Sequence, residues 1–245
     1  MDNYVDIHSH ILYGIDDGSK SLEESIEIIK QHIEMGFKDI ILTPHYIENS
    51  KYETNNKEKK KLLETLKKEL KKQNIDINLY LGNEVFVNNT LEIDKEKIEK
   101  LNNSKYLLIE FPMGEKPKNI NNIIYELKIQ GIIPVIAHPE RYTFVQEHPN
   151  IVDEWVEEGA LLQSNYGSIV GVYGESAKKA VKKLLKKNII AILATDIHYP
   201  NNKIYQNIEK SRKKIKKIIG EEKYIELTIT NPKKIIENKE IRTEI

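Results

Sequence analysis

Cysteine is absent from this sequence of 245 residues. Its absence excludes disulfide bonds, thiolate zinc sites and cysteine nucleophiles. The sequence also lacks a net charge, because 38 lysines and arginines balance 38 aspartates and glutamates, whereas a nucleic-acid-binding protein usually carries a basic excess. No apolar run approaches the roughly 18 residues that a membrane span needs. We therefore expect no nucleic-acid partner and no membrane insertion, and any metal must use histidine and carboxylate ligands.

A secretion signal is not evident either. The first residues, MDNYVDIHSHIL, are acidic and carry histidines, whereas a signal peptide has a basic start and an apolar run. This pattern predicts a cytoplasmic protein. Lysine is concentrated at 57–74 and 178–188, where it alternates with leucine at helical spacing; these stretches indicate solvated helix faces rather than nucleic-acid patches.

Short β-branched apolar runs alternate with amphipathic helical patterns along the chain. Seven strands are predicted, and such runs are typical of parallel strands buried on both faces. No linker or low-complexity break separates them, so we expect one domain over residues 1–245 with an α/β fold. The strands are expected at 5–10, 37–45, 77–85, 106–112, 132–139, 161–165 and 188–198, and the helices at about 21–36, 57–73, 94–101, 123–131, 150–158 and 175–187.

Polar side chains occur at the ends of these predicted strands. In a closed (β/α) barrel the carboxyl ends of the strands meet at one mouth, where residues from distant parts of the chain form a site. This placement favours a barrel over a doubly wound sheet. The strand-end residues are His8, His10, His45, Glu84, Glu110, His138, Asn165, Asp196 and His198.

Their types predict a metal centre. His8 and His10 are two apart on a strand, so their rings share one face. A glutamate buried at the end of an apolar strand, as Glu84 and Glu110 would be, is costly unless it is paired or bound to metal. The ligands outnumber what one ion uses, which predicts two or three ions, and paired ions about 3.5 to 4 Å apart suit phosphoester hydrolysis.

Three further residues have simple interpretations. Arg141 could present a fork of donors to phosphate, although a surface salt bridge explains it equally well from sequence. His32, on the polar side of a predicted helix, and His148, in a predicted loop, are interpreted as ordinary surface residues.

The motifs HSH, DDG, TPH, GNE, IEF, AHPERY, QSNYGSIVGVYG and TDIH, in this order, resemble the polymerase-and-histidinol-phosphatase (PHP) metal-dependent phosphoesterases. The similarity is greatest to the branch of bacterial protein-tyrosine phosphatases encoded with capsule and exopolysaccharide genes, and it extends from about residue 4 to residue 231. It implies a distorted (β/α)7 barrel that binds three metal ions. Manganese is the usual activator in this family, with iron, zinc, magnesium or cobalt as alternatives.

The resemblance also implies ligand sets and roles. Asp17, rather than Asp16, is at the family's ligand position, and Gly14 and Gly18 are expected to turn the chain so that an acid reaches the mouth. Arg141, Asp17, His45 and His198 take catalytic positions. The three implied sets are His8, His10, Glu84 and Asp196; Glu84, Glu110 and His138; and Asp17, His45 and His198.

One departure concerns the phosphate. The family often has Arg-Pro-Pro after the last D-x-H, whereas this sequence has TDIHYPNNKIYQN, with Lys203 at the corresponding spacing. Lysine supplies a point charge instead of a planar fork, so tyrosine specificity is less secure than phosphatase activity.

The leading hypothesis is a protein-tyrosine phosphatase that acts on the tyrosine-rich tail of a bacterial kinase controlling polysaccharide export. A small-molecule phosphatase, such as one for histidinol phosphate, is the alternative within the same fold. A non-catalytic metal-binding barrel is disfavoured because no ligand position is lost. A nuclease is disfavoured because the sequence shows no basic, aromatic-rich groove.

Overall fold

The computed structural model describes residues 3–88 and 91–241, in which parallel strands alternate with helices. The strands are β1 (Tyr4–Asp6), β2 (Phe37–Leu42), β3 (His45–Tyr46), β4 (Asn78–Leu81), β5 (Glu84–Phe86), β6 (Tyr106–Glu110), β7 (Ile133–Ala137), β8 (Leu161–Asn165) and β9 (Ile190–Ala194). The helices are α1 (Leu22–Glu34), α2 (Asn56–Lys72), α3 (Ile120–Ile129), α4 (Thr143–Glu147), α5 (Ile151–Glu157), α6 (Gly174–Lys186), α7 (Lys203–Ile219), α8 (Glu221–Ile225) and α9 (Asn231–Ile236). Across these two ranges, no helix is long and apolar enough to cross a membrane.

The strands form two parallel sheets that together make a barrel. One sheet has the order β1-β2-β4 and the other the order β3-β5-β6-β7-β8-β9. The ends of β1 and β9 meet through an isolated bridge between Ser9 and Ile197, and the His10 amide donates to the Ile197 carbonyl at 2.8 Å. The expected distorted (β/α)7 barrel is confirmed.

Two of the seven predicted strands are interrupted, which accounts for the distortion. Thr43 and Pro44 separate β2 from β3, and proline cannot donate to a strand ladder. Gly82 and Asn83 separate β4 from β5. A Cβ at Gly82 would lie 2.9 Å from the Leu101 side chain, so glycine permits the close approach. The first residue after each interruption is a predicted ligand, His45 in β3 and Glu84 in β5.

Alternation along the strands explains how acids enter the barrel. In β6, Leu107 and Ile109 pack with helix residues in the larger apolar cluster, whereas Tyr106 and Leu108 belong to a second cluster that consists mostly of strand residues. Successive strand residues face opposite sides. Glu110 therefore continues the face of Tyr106 and Leu108, which is the interior of the barrel.

The helix expected at 94–101 is wrong. The structure has a turn at 95–97 and a 3-10 helix at Leu101–Asn103. The carbonyls of residues 95–98 accept hydrogen bonds from the backbone and side chain of Asn56 and from the Lys59 ammonium. These tertiary bonds occupy the acceptors that a helix would use.

Two predicted surface residues are buried. His32 has no exposed surface; its Nε2 contacts Asp6 Oδ2 at 3.0 Å and its Nδ1 contacts the Tyr205 hydroxyl at 3.0 Å. The polar side of α1 therefore covers a buried carboxylate of β1. Lys59, within the supposedly solvated stretch 57–74, is also fully buried. His148 is exposed, as predicted.

Candidate metal centre

Nine side chains from seven stretches of the chain converge at the carboxyl end of the barrel. They divide into two groups by exposure. The side chains of the inner half are 0 to 11% exposed, whereas those of the outer half are 12 to 51% exposed. The inner half is His8, His10, Glu84, Glu110, His138 and Asp196, and the outer half is Asp17, His45 and His198.

Glu84, the first residue of β5, is the centre of the cluster. One of its oxygens lies 3.2 Å from His8 Nε2 and 3.1 Å from His138 Nε2. The other lies 3.2 Å from His10 Nε2 and 3.1 Å from His45 Nδ1. A single buried carboxylate thus contacts four imidazoles and is placed to be shared between ions.

Two further carboxylates complete the inner half. Asp196 Oδ1 lies 3.4 Å from His8 Nε2 and 3.5 Å from His10 Nε2. Glu110 Oε1 lies 3.5 Å from His138 Nε2. The structure therefore brings together the members of the first two implied sets, although potential ligand atoms of His8, His138 and Asp196 also converge as a set of their own.

The outer half surrounds Asp17. Its Oδ1 lies 3.5 Å from His45 Nε2 and 3.7 Å from His198 Nε2. Ligand atoms of these three residues and of His10 all lie within 4.8 Å of one another. This grouping matches the third implied set and adds His10 at its inner edge.

The loop that carries Asp17 depends on two glycines. Gly14 has a φ of 76°, a left-handed conformation that glycine adopts without strain. Gly18 lies against His10, where a Cβ would be 2.1 Å from the His10 carbonyl oxygen. The Ser19 amide donates to that carbonyl at 3.0 Å. The chain therefore turns back over the mouth as expected, although only Gly14 needs a positive φ.

Hydrogen bonds behind the ligands orient two imidazoles. His8 Nδ1 donates to Gln163 Oε1 at 2.8 Å, and His10 Nδ1 donates to Asp16 Oδ2 at 2.8 Å. Both rings therefore present Nε2 to the cluster, the arrangement found behind metal-bound histidines. Asp16 thus supports His10, while Asp17 faces the outer half. Sequence reasoning missed Gln163, although its position two residues before Asn165 on β8 indicates the same inward face.

The backbone at two inner residues is strained. His138 has a φ of 32° and Asp196 a φ of 54°, in a region that residues other than glycine rarely adopt. Glu140, which sequence reasoning also missed, anchors the loop after His138. Its carboxylate is fully buried and accepts from the hydroxyls of Ser164 and Ser168. The surrounding structure therefore holds His138 in place.

Arg141 belongs to the cluster and does not form an exposed surface salt bridge. Its Nη1 donates to Asp196 Oδ2 at 2.6 Å, its side chain is only 26% exposed, and its guanidinium lies 4.6 Å from the centre of the Tyr173 ring. Burial, and next the charge of Asp196, raise the pKa of the Tyr173 hydroxyl. Arg141 is thus held at the mouth between an acid and an un-ionised phenol.

Lys203 is the first residue of α7 and is exposed. Among the residues that the structure describes, its ammonium has no ion-pair partner. The structure does not connect it to the cluster.

Burial and neighbouring charges perturb the inner half. Burial opposes the charge of His8, but Glu84 and Asp196 outweigh it and raise the pKa of His8 to about 9. Burial, followed by the charge of Glu84, raises the pKa of the Glu110 carboxyl. Burial, followed by the charge of Arg141, lowers the pKa of His138 to about 4. These shifts favour the protonated forms of His8 and Glu110 in the metal-free protein.

The arrangement fits divalent cations. The Nε2 atoms of His8 and His10 are 3.3 Å apart and both face Glu84. Nitrogen lone pairs and carboxylate oxygens that converge in this way repel one another unless a proton or a cation lies between them. Five imidazoles and four carboxylates form a nitrogen and oxygen donor set suited to manganese, iron, zinc or cobalt.

Comparison with known proteins assigns the family. Residues 4–237 match the model of the capsular polysaccharide synthesis CpsB/CapC family. This chain belongs to the CpsB/CapC family. Tyrosine-protein phosphatase YwqE of Bacillus subtilis (strain 168) is 36% identical over 79% of this chain and 77% of its own length. Tyrosine-protein phosphatase CpsB of Streptococcus pneumoniae is 30% identical over 95% of this chain and 98% of its own length.

A solved structure of the CpsB/CapC family has the same fold. It comes from a description of the crystal structures of YwqE from Bacillus subtilis and CpsB from Streptococcus pneumoniae, which calls both proteins metal-dependent tyrosine phosphatases. It superposes with a TM-score of 0.90 at 31% identity and covers 98% of this chain and 97% of that chain. The predicted family and barrel are both confirmed.

Proposed function

We propose that this member of the CpsB/CapC family is a metal-dependent protein-tyrosine phosphatase. The observation that carries the proposal is the cluster of nine nitrogen and oxygen ligands around Glu84, with Arg141 held beside it. The names of the relatives support the same activity.

The nine side chains would hold two or three ions, with Glu84 shared between them. Bound ions would supply a nucleophilic water at neutral pH and neutralise charge on the phosphoryl oxygens. Manganese is proposed because it is the usual activator implied by the family resemblance. The donor set also accepts iron, zinc, magnesium or cobalt.

The chain's own residues bind and orient the phosphate. Arg141 would direct guanidinium donors at the equatorial oxygens, where negative charge is stabilised during transfer. Asp196 and Tyr173 restrict the position of its guanidinium, so little ordering remains for the substrate to complete. A phenolate leaving group has a pKa near 10, so it departs without strong acid assistance.

The substrate, the domain organisation and the location are parts of the same proposal. The substrate would be a phosphotyrosine protein, specifically the tyrosine-rich tail of a bacterial kinase that regulates capsule or exopolysaccharide synthesis. We propose that residues 1–245 form one catalytic domain that acts in the cytoplasm. Lys203 is a second candidate for phosphate contact, since it stands where the family often has an arginine; its exposure leaves it free to reach a bound substrate.

A side-by-side assay tests the substrate class. We expect the manganese-loaded protein to hydrolyse a phosphotyrosyl peptide faster than a phosphoseryl peptide or histidinol phosphate. The His138→Ala variant is the control, because it removes one inner ligand and should abolish all three activities. A clear preference for histidinol phosphate would favour the small-molecule alternative, and undiminished turnover by the variant would eliminate the proposed site.

A further inference from the structure

Lys59 occupies a core position on a helix that is otherwise rich in exposed lysine. The buried residues of α2 are Asn56, Lys59, Leu63, Leu66 and Leu70, a spacing of three and four that defines the inward face. Every other lysine of α2 is exposed. An ammonium buried in this way is costly, and burial lowers the pKa of Lys59 to about 7. Such a residue needs an explanation beyond packing.

The Lys59 ammonium makes two short hydrogen bonds to neutral oxygens. Nζ donates to Asn83 Oδ1 at 2.6 Å and to the Lys97 carbonyl at 2.6 Å. Asn83 is itself fully buried. Its Oδ1 also accepts from the Glu99 amide at 2.9 Å, and its Nδ2 donates to the Pro44 carbonyl at 2.9 Å. The ammonium, the amide and the Pro44 carbonyl thus form a continuous chain.

This chain ends at the two interruptions that precede metal-site ligands. Pro44 comes directly before His45, and Asn83 directly before Glu84. The Pro44 carbonyl also accepts from the Glu84 amide at 3.2 Å, and His45 and Glu84 are paired in register between β3 and β5. The position of one carbonyl therefore affects both ligands.

We propose that Lys59 is a positioning residue for the metal centre, acting through Asn83 and Pro44 to fix Glu84 and His45. Glu84 contacts four imidazoles at 3.1 to 3.2 Å, so a small displacement changes every one of those distances. The proposal rests on the metal centre proposed above and extends it to a helix on the outside of the barrel.

The test compares Lys59→Met with Lys61→Met in the full chain. Methionine keeps the length of the side chain and removes the donors, while Lys61 is an exposed lysine of the same helix and serves as the matched control. Titration of Mn²⁺ into metal-free protein measures the dissociation constants and the number of ions. Lys59→Met should weaken binding by about 10- to 100-fold, as loss of a partner behind a ligand does. Lys61→Met should bind like the wild type.

A second variant separates positioning from folding. Asn83→Ala removes the middle of the chain and leaves the bond from Lys59 to the Lys97 carbonyl, so it should weaken Mn²⁺ binding to a similar degree. The Lys59→Met/Asn83→Ala double variant should bind Mn²⁺ no more weakly than the weaker-binding of the two single variants, because both changes break the same connection. If Lys59→Met does not fold, the Mn²⁺ affinity of Asn83→Ala decides the question.

Wild-type Mn²⁺ affinity in Asn83→Ala, or in a folded Lys59→Met, would overturn the proposal, whatever the Tm of the metal-free protein. Such a result would show a purely structural lysine. Failure of the wild type to bind Mn²⁺ would instead overturn the metal centre itself.

Discussion

The inner and outer halves of the cluster use the same ligand types in different surroundings. The side chains of the inner half are at most 11% exposed, whereas half of the Asp17 side chain in the outer half is exposed. The inner ligands follow buried strands, and strained backbone at His138 and Asp196 is held by surrounding contacts. Asp17 instead lies on a loop that returns over the mouth.

This difference indicates that the two halves have different functions. A buried, supported ligand set favours tight binding of an ion. An exposed set leaves room for a substrate to approach, and loops over a barrel mouth are where substrates are bound. We therefore expect the inner half to retain its ions and the outer half to exchange its ion with solvent.

The largest effect is expected from Glu84→Gln. The change removes the carboxylate shared by His8, His10, His45 and His138 and keeps its shape. Turnover of a phosphotyrosyl peptide should fall by more than about 100-fold. Loss of a residue that only supports a ligand costs up to about that much. Metal analysis should show loss from both halves. If only one ion is lost, Glu84 does not link the two halves.

Arg141→Lys tests phosphate binding without removing a ligand. Lysine keeps the charge and loses the planar fork, so kcat/KM for an aryl phosphate should fall on the order of 100-fold, which is about 2.7 kcal/mol of transition-state stabilisation. The number of bound ions should stay unchanged. Loss of metal in this variant would mean that Arg141 serves mainly to hold Asp196 in the inner half.

Asp17→Asn tests the outer half alone. The neutral amide should weaken the outer ion and leave the inner ions bound, with a fall in turnover of about 30-fold that excess Mn²⁺ partly restores. Metal analysis after gel filtration measures the remaining ions. A variant that loses every ion would show that the two halves do not bind independently.

The pH dependence of metal binding should also differ between the halves. The pKa of His8 is raised to about 9, so it is protonated at pH 7 and must release its proton to bind a metal. Inner affinity should therefore rise toward pH 9, by up to about tenfold per pH unit for each proton released. Burial lowers the pKa of His45, so outer affinity should change little above pH 7.

Calorimetry in buffers of different ionisation enthalpy measures the released protons, with Asp17→Asn isolating the inner ions. Inner affinity that is flat between pH 7 and 9 would contradict the assigned protonation states.

Sequence patterns predicted the barrel and the converging ligands because both depend on local signals. Alternation in β6 places Glu110 on the inner face, and every predicted ligand except Asp17 lies at or just beyond a strand end. The errors occurred where tertiary contacts decide. His32 lies on a polar helix face that covers Asp6. Lys59 has the same composition around it as its exposed neighbours, and only its position four residues before Leu63 indicates the buried face of α2.

The segment at 94–101 shows the same limit. Its composition permits a helix, but its carbonyls bind Asn56 and Lys59 from α2, which are nearly 40 residues away in sequence. Gln163 was missed for a related reason: its spacing from Asn165 indicates an inward side chain, but an uncharged amide does not by itself indicate a role behind His8.

Both halves are expected to form one metal centre around Glu84. Anomalous diffraction from a manganese-loaded crystal tests it most directly. We expect two or three manganese peaks among the nine side chains, with at least one peak bound by Glu84 and the peak near Asp17 the weakest. The absence of any manganese peak within reach of Glu84 would show that Glu84 does not hold the ions together.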